Sequence, residues 1–169
     1  RNTARAAKLV ATFKQLAVDR TSLLRSQFSL AGAVAESARE VAQSVVQRHV
    51  HIRQWVSAEI VLDSYREALT QVLTNLLQNA VVHAMNGDQP LTITLQSYPA
   101  LLQERPAVSL VVSDDGVGME PEVVKRAFDP YFTTRLGQGG SGLGLYQVYN
   151  LVHSALGGAI TLESSPGQG

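Results

Sequence analysis

Between Tyr65 and Met85 four polar side chains recur every four residues: Gln71, Asn75, Asn79 and His83. On a helix that spacing makes one slowly drifting stripe. Asparagine is a poor helix former, because its amide competes for backbone hydrogen bonds. Two Asn and a His in line therefore need a reason beyond propensity. Either the stripe is a solvated face, where Lys and Glu would be the more natural choice, or it is a ligand site. An amide oxygen is a neutral hard ligand, suited to Mg²⁺, which keeps few protein ligands and several waters.

A second cluster follows the apolar run Val108 to Ser113: Asp114-Asp115-Gly116-Val117-Gly118-Met119. Asp115-Gly116 suits a hairpin turn, but no strand pattern follows it. Asp114, at the edge of the core, is placed to accept a hydrogen bond from the exocyclic amine of a purine. Gly116 and Gly118 would let the backbone approach the ring.

The third cluster is Gly137-Gln138-Gly139-Gly140-Ser141-Gly142-Leu143-Gly144-Leu145. So much glycine in so short a run is entropically costly and implies a special backbone. The run leads into a helix, whose exposed N–H groups and dipole make a phosphate cradle; a flexible surface loop is the bland alternative. Gly137, Gly139 and Gly142 match the dinucleotide fingerprint formally, but the apolar strand that fingerprint requires does not precede them. No Gly-Lys followed by Ser or Thr exists, so the loop is not of the Walker type. Between the second and third clusters, Phe128 to Arg135 mixes aromatic and polar residues without period. It suits a mobile lid with an aromatic anchor and a cation for a terminal phosphate.

These clusters need elements to hold them. Ala6, Leu9, Phe13, Leu16 and Leu23 mark an amphipathic helix over about 1–25, with the spacing of a bundle or dimer interface. Ser29 is placed to cap a second helix through Val34, Ala38, Val41 and Val45. His49 to Val56 alternates as a half-buried strand, with His51, Arg53 and Trp55 on one face. A long helix covers about Tyr65 to Met85, and Asn86 to Pro90 breaks it. Leu91–Gln96 and Ala107–Ser113 read as a hairpin whose loop carries Pro99 and Pro106. A short helix lies near Pro121 to Ala127, and another spans about Gly142 to Leu156. Gly157-Gly158 ends that helix, and Ala159–Ser164 reads as a last strand. The mixture, with its antiparallel bias, indicates an α+β two-layer domain.

Composition sets bounds. The 169 residues are 45% apolar and 17% charged, with formal charge zero, which speaks against disorder and against nucleic acid as main partner. No apolar run approaches the roughly 18 residues needed to span a bilayer, and no secretion leader is expected. Zero cysteines exclude disulfides and thiolate metal sites. Eleven of the thirteen glycines fall from Gly116 onward, which concentrates the special backbone in the second and third clusters.

In this order the blocks resemble the ATP-binding catalytic domain of sensor histidine kinases, part of the wider group containing gyrase and related ATPases. Asn75 to Ala80 resembles the asparagine box, and Asp114-x-Gly116-x-Gly118 the first glycine box. Phe128 to Arg135 resembles the phenylalanine box, and Gly140 to Leu145 the second glycine box. The resemblance covers about Phe28 to Gly169. It implies that Asn79 coordinates Mg²⁺ bridging the ATP phosphates and that Asp114 reads the adenine amino group, beside Gly116 and Gly118. It places His83, Tyr131, Thr134 and Arg135 near the nucleotide, and Gly140, Ser141, Gly142, Leu143, Gly144 and Leu145 around the triphosphate. Asn75, His83 and Arg135 form its catalytic group. The related ATPases carry a glutamate base four residues before the metal-binding Asn. Asn75 stands there instead, and an amide cannot take a proton from water, which favours kinase over hydrolase. Leu156, Asp129 and Arg135 stand where His, Glu and Lys are commoner.

The resemblance thus implies an α+β fold: a two-layer α/β sandwich of the histidine-kinase and gyrase type, preceded by a helix from a dimerisation bundle. Residues 1–27 would be the C-terminal helix of an incomplete dimerisation and phosphoacceptor hairpin. Residues 28–169 would be the ATP-binding domain, without its last strand. The implied function is transfer of the ATP γ-phosphate to a histidine upstream of this sequence, in a two-component sensor kinase using ATP and Mg²⁺. Implied partners are its own dimerisation domain, in a homodimer, and a response regulator receiver domain, with no nucleic acid or membrane contact by this segment. The implied location is cytoplasmic, the full protein being open to anchoring in the inner membrane. Rival readings are an ATPase or serine-directed kinase of the same superfamily, and a non-catalytic nucleotide-binding docking module.

Overall fold

A computed structural model describes residues 24–45, 49–85, 87, 89–134 and 141–169. The helix expected over 1–25 lies almost wholly outside the described residues. Where it would enter them the chain is already extended: β1 is Arg25–Ser29 and pairs antiparallel with β3, Val61–Tyr65, from Arg25↔Tyr65 to Ser29↔Val61. Arg25 to Gln27 therefore join this ribbon rather than a preceding helix. The exposed Arg25–Asp63 ion pair at 3.1 Å adds little in water. Phe28, buried on β1, ties the ribbon to the core.

α1, Leu30–Ser44, begins as expected at Ser29, whose Oγ accepts from the Gly32 N–H at 3.2 Å. It buries Leu30, Ala33, Val34, Ser37, Ala38 and Val41, one face of a 3.6-residue period. The Ser37 hydroxyl is satisfied there by the Ala33 carbonyl at 3.1 Å. α2, Arg66–Asn79, follows β3 directly and buries Leu69, Leu73 and Leu77, then loosens into a π-helical turn over Ala80–Ala84.

The main sheet has the order β2-β4-β5: β2 is Val50–Trp55, β4 Leu91–Leu102 and β5 Arg105–Asp114. β2 runs parallel to β4, and β5 antiparallel to it. Leu91, Ile93 and Leu95 of β4 turn inward and are nearly inaccessible; α1 and α2 cover them, making the two layers of an α+β domain. Full burial of each such leucine contributes about 2 kcal/mol. His51, Arg53 and Trp55 stay on the exposed side, as their alternation predicts.

Two expectations are corrected. Pro99 and Pro106 lie within the strands, opposite Val108 and Leu101, and the turn is Gln103-Glu104. β2 pairs with β4 only as far as Gln96. Beyond that point β4 has one open edge and β5 is an edge strand, where a missing N–H is tolerated. Ala159–Ser164 forms no strand: Ile160, Leu162 and Ser164 do turn half inward, but without a backbone ladder. An isolated bridge, Ser165↔Gln168, follows instead. Alternation chooses an inner face and does not supply an edge to pair with.

α3 is Pro121–Arg126 and α4 is Gly144–Asn150, extended by a second π-helical turn, Leu151–Ala155. Val148 and Val152 pack on Val72, fastening α4 to α2. Gly157, at φ 63°, ends that helical run, with Gly158 N–H on the Val152 carbonyl at 2.8 Å. Among the described residues no helix is long and apolar enough to cross a membrane.

Candidate functional site

α2 and the π-helical turn that continues it present Asn75, Asn79 and His83 as a half-buried stripe, not a solvated face. The first turn of α4 lies against it. An added Cβ on Gly144 would sit 3.4 Å from both Asn79 amide atoms, so glycine keeps a side chain from packing on the amide. Asn79 Nδ2 is buried and has no hydrogen-bond partner among the described residues. A buried unsatisfied donor costs about 1–3 kcal/mol. Asn75 is held instead, accepting from Gln71 Nε2 and donating to Gln147 Oε1, both at 3.4 Å.

His83 lies on the π-helical turn, with its Nδ1 3.4 Å from Thr134 Oγ1. Thr134 belongs to the first stem of the expected lid. Tyr131 on the same stem is exposed and held at φ 65°, a strained value for a bulky residue. The second stem starts at Ser141, whose Oγ accepts from Leu143 N–H at 3.3 Å. The stems meet where Gly142, at φ 67°, packs on the Tyr131 backbone. The Arg126 guanidinium lies 4.5 Å over the Phe132 ring, and Phe128 stacks near Tyr149 at 5.7 Å, anchoring the first stem to α3 and α4. Leu143 and Leu145 are half-buried beside them. Arg135 and Gly140, both expected at the site, lie outside the described residues.

The other end of the cleft is formed where β5 ends. Asp114 is half-buried, and its Oδ1 accepts from Gly116 N–H at 3.0 Å. Burial, aided by the neighbouring Asp115 charge, raises its pKa above the ordinary 3.8, although the Gly116 bond opposes the shift. Asp115 points elsewhere, accepting from Thr92 N–H at 2.7 Å. Gly116 is needed for a reason other than approach to a ring: a Cβ there would strike Ala84, whose carbonyl accepts from Val117 N–H at 2.9 Å. Gly118, at φ 68°, likewise makes room for the Ser165 carbonyl. The closing turn is tied over this segment, with Gly167 N–H on Val117 O at 2.7 Å and Met119 N–H on Ser164 Oγ at 2.9 Å.

The structure therefore gathers Asn75, Asn79, His83, Thr134 and Gly144 at one end and Asp114 with Gly116 at the other. The end of α2 joins the two. Gln147 does not stand out in the sequence; a lone polar residue beside Val148 on the α2-facing side of α4 was its signal. The donor set fits a magnesium-nucleotide ligand. One amide oxygen suits a cation that keeps its waters, an orphan amide N–H suits a phosphate oxygen, and glycine at 144 adds no side chain against that amide.

Comparison with known proteins gives the family of this fold. The profile of the family described as histidine kinase-, DNA gyrase B-, and HSP90-like ATPase matches residues 64–169. The sensor histidine kinase ZraS of Salmonella typhi is 31% identical over 137 residues, 80% of this chain and 28% of that protein. The histidine protein kinase DivJ of Caulobacter vibrioides is 30% identical over 166 residues, 95% of this chain and 26% of that protein. Full-length ShkA, solved in complex with AMPPNP, superposes with a TM-score of 0.68 at 26% identity, covering 87% of this chain and 29% of that one. The chain thus spans less than a third of the length of each of these relatives.

Proposed function

The chain belongs to the histidine kinase-, DNA gyrase B- and HSP90-like ATPase family, and we propose that it binds Mg-ATP for transfer of the γ-phosphate to a histidine on another segment of a two-component sensor kinase. The observation that carries nucleotide binding is the buried, unpartnered Asn79 amide facing Gly144. Asn79 Oδ1 would hold Mg²⁺ while its N–H meets a phosphate oxygen, and Asp114 would accept from the adenine amine. Ser141 to Leu145 would lie along the phosphates. Tyr131, Thr134, His83 and Arg135 would close over them. Bound Mg²⁺ supplies charge neutralisation on the phosphates, so positioning and electrostatics supply most of the catalysis.

Asn75 decides between transfer and hydrolysis. An amide does not take a proton from water at neutral pH, so no base activates water at this position. The acceptor imidazole of a partner helix attacks phosphorus as the bond to ADP breaks. The segment ahead of Arg25 would be the C-terminal helix of the dimerisation and phosphoacceptor hairpin, in a homodimer. A response regulator receiver domain would take the phosphoryl group onward, and the domain would work in the cytoplasm.

The test is labelled ATP and a longer chain that includes the upstream helix. Label in protein that is acid-labile and base-stable is the expected outcome. Fast phosphate release without labelled protein would assign the site to hydrolysis, and acid-stable label would assign it to serine.

A further inference from the structure

Gln147 has no part in the boxes that align this chain with its family, yet it is the residue of α4 that reaches the Asn75 side chain. The contact spans 72 positions of sequence and joins the two helices that wall the cleft. Both residues are half-buried. Around Gln147, α4 otherwise turns apolar side chains toward α2, with Val148 and Val152 packed on Val72. A glutamine among them must find a polar partner or lose its hydrogen bonds to burial, and Asn75 is that partner. On its other side Asn75 accepts from Gln71, one helical turn earlier. The result is a chain of three amides. In it Asn75 Oδ1 receives one N–H and keeps a second lone pair, while Nδ2 is occupied by Gln147.

We infer that Gln147 is a positioning residue: by accepting from Asn75 Nδ2 it fixes the rotation of that amide, so that Oδ1 is the atom presented to the bound nucleotide. The role of Asn75 rests on the kinase reading above, whereas the amide geometry does not. Held by the exposed Gln71 bond alone, Asn75 would be freer to rotate and to expose an N–H donor in place of the oxygen. Turning also breaks the side-chain tie between α2 and the helix that follows the glycine loop. The acceptor, not the volume, is what matters at position 147.

Two variants separate these. Gln147→Met keeps the size and removes the acceptor; Gln147→Glu keeps the acceptor, removes the donor and adds a negative charge. In nitrogen–proton spectra of this chain, the Asn75 side-chain amide, assigned by its loss in Asn75→Ala, should move in Gln147→Met and stay near its wild-type position in Gln147→Glu. In the longer chain with ATP, Gln147→Met should lower kcat for phosphohistidine formation about tenfold with little change in KM, as expected for one lost hydrogen bond. Gln147→Glu should retain kcat while its charge raises KM. Retained kcat and an unmoved amide signal in Gln147→Met would overturn the inference. So would loss in Gln147→Glu equal to that in Gln147→Met, since Gln147 would then act as donor. If the wild-type chain forms no phosphohistidine, the kinase reading fails, and the amide signal alone still decides the role of Gln147.

Discussion

At the Asp114 end of the cleft the backbone is closed by bonds of 2.7 to 3.0 Å, from Gly167 to Val117, Val117 to Ala84 and Gly116 to Asp114. At the Asn79 end the bonds from Gln71 to Asn75, Asn75 to Gln147 and between Thr134 and His83 are each 3.4 Å, and one buried amide N–H has no partner among the described residues. One end is finished within the protein; under the proposed function the other would be completed by the bound nucleotide. The glycines follow the same division. Gly116 and Gly118 admit neighbouring chain, whereas Gly144 faces the Asn79 side-chain amide. Substitutions at the first end should therefore cost the fold, and substitutions at the second should cost the ligand.

The largest effect is expected from Gly118→Ala. Its left-handed backbone and the collision with Ser165 should together cost about 3 kcal/mol, seen as a lower midpoint of thermal unfolding. An unchanged midpoint would show that this end is not closed. Asn79→Leu should do the reverse. Removing an unsatisfied buried donor should stabilise the free chain by about 1 kcal/mol, while Mg-ATP affinity falls by about a hundredfold, or about 2.7 kcal/mol. Calorimetric titration beside thermal unfolding checks both signs.

Asp114 sits at the boundary of the comparison. Its raised pKa means that the folded chain binds this proton more readily than the unfolded one. Stability from this group is therefore present at low pH and lost as pH rises from 3.8 through the raised folded value. Asp114→Asn should accordingly raise the unfolding midpoint at neutral pH, yet weaken ATP binding by about tenfold, or about 1.4 kcal/mol. ATP affinity of the wild-type chain should decline on acidification at a higher pH than an ordinary aspartate would give. A destabilised Asp114→Asn would mean that burial is not the ruling influence on this carboxyl.

The smallest effect serves as a control away from the cleft. Glu104 occupies the hairpin turn at φ 64°, and Glu104→Gly should stabilise by about 1 kcal/mol without altering ATP binding. Altered binding would show that strain at the hairpin reaches the site.

Much of the site was legible because helical period is local. The four-residue spacing of Asn75, Asn79 and His83 fixes a common stripe whatever the helix packs against. Asp114 was legible as the last polar residue of an apolar run. The reason for the nearby glycines was not, since Ala84 and Ser165 lie far off in sequence. β1 and β3 escaped notice for the same reason. Arg-Ser-Gln-Phe-Ser and Val-Leu-Asp-Ser-Tyr bury few side chains, and each becomes a strand through a partner about 36 positions away. The two prolines misled because a proline reads as a breaker until one knows which edge of the strand is open. Gln147 depends on a contact 72 residues distant, beyond any periodic rule.

The Ala84 carbonyl, at the end of the π-helical turn, holds Val117 just past the glycine that abuts it. The helix that carries Asn79 and the turn that follows Asp114 are thus spliced main chain to main chain. The interval between the two ends of the cleft works as a ruler cut in backbone. Exchanging side chains can change which chemical groups are read at each end of the ruler. Lengthening it requires adding or removing a residue.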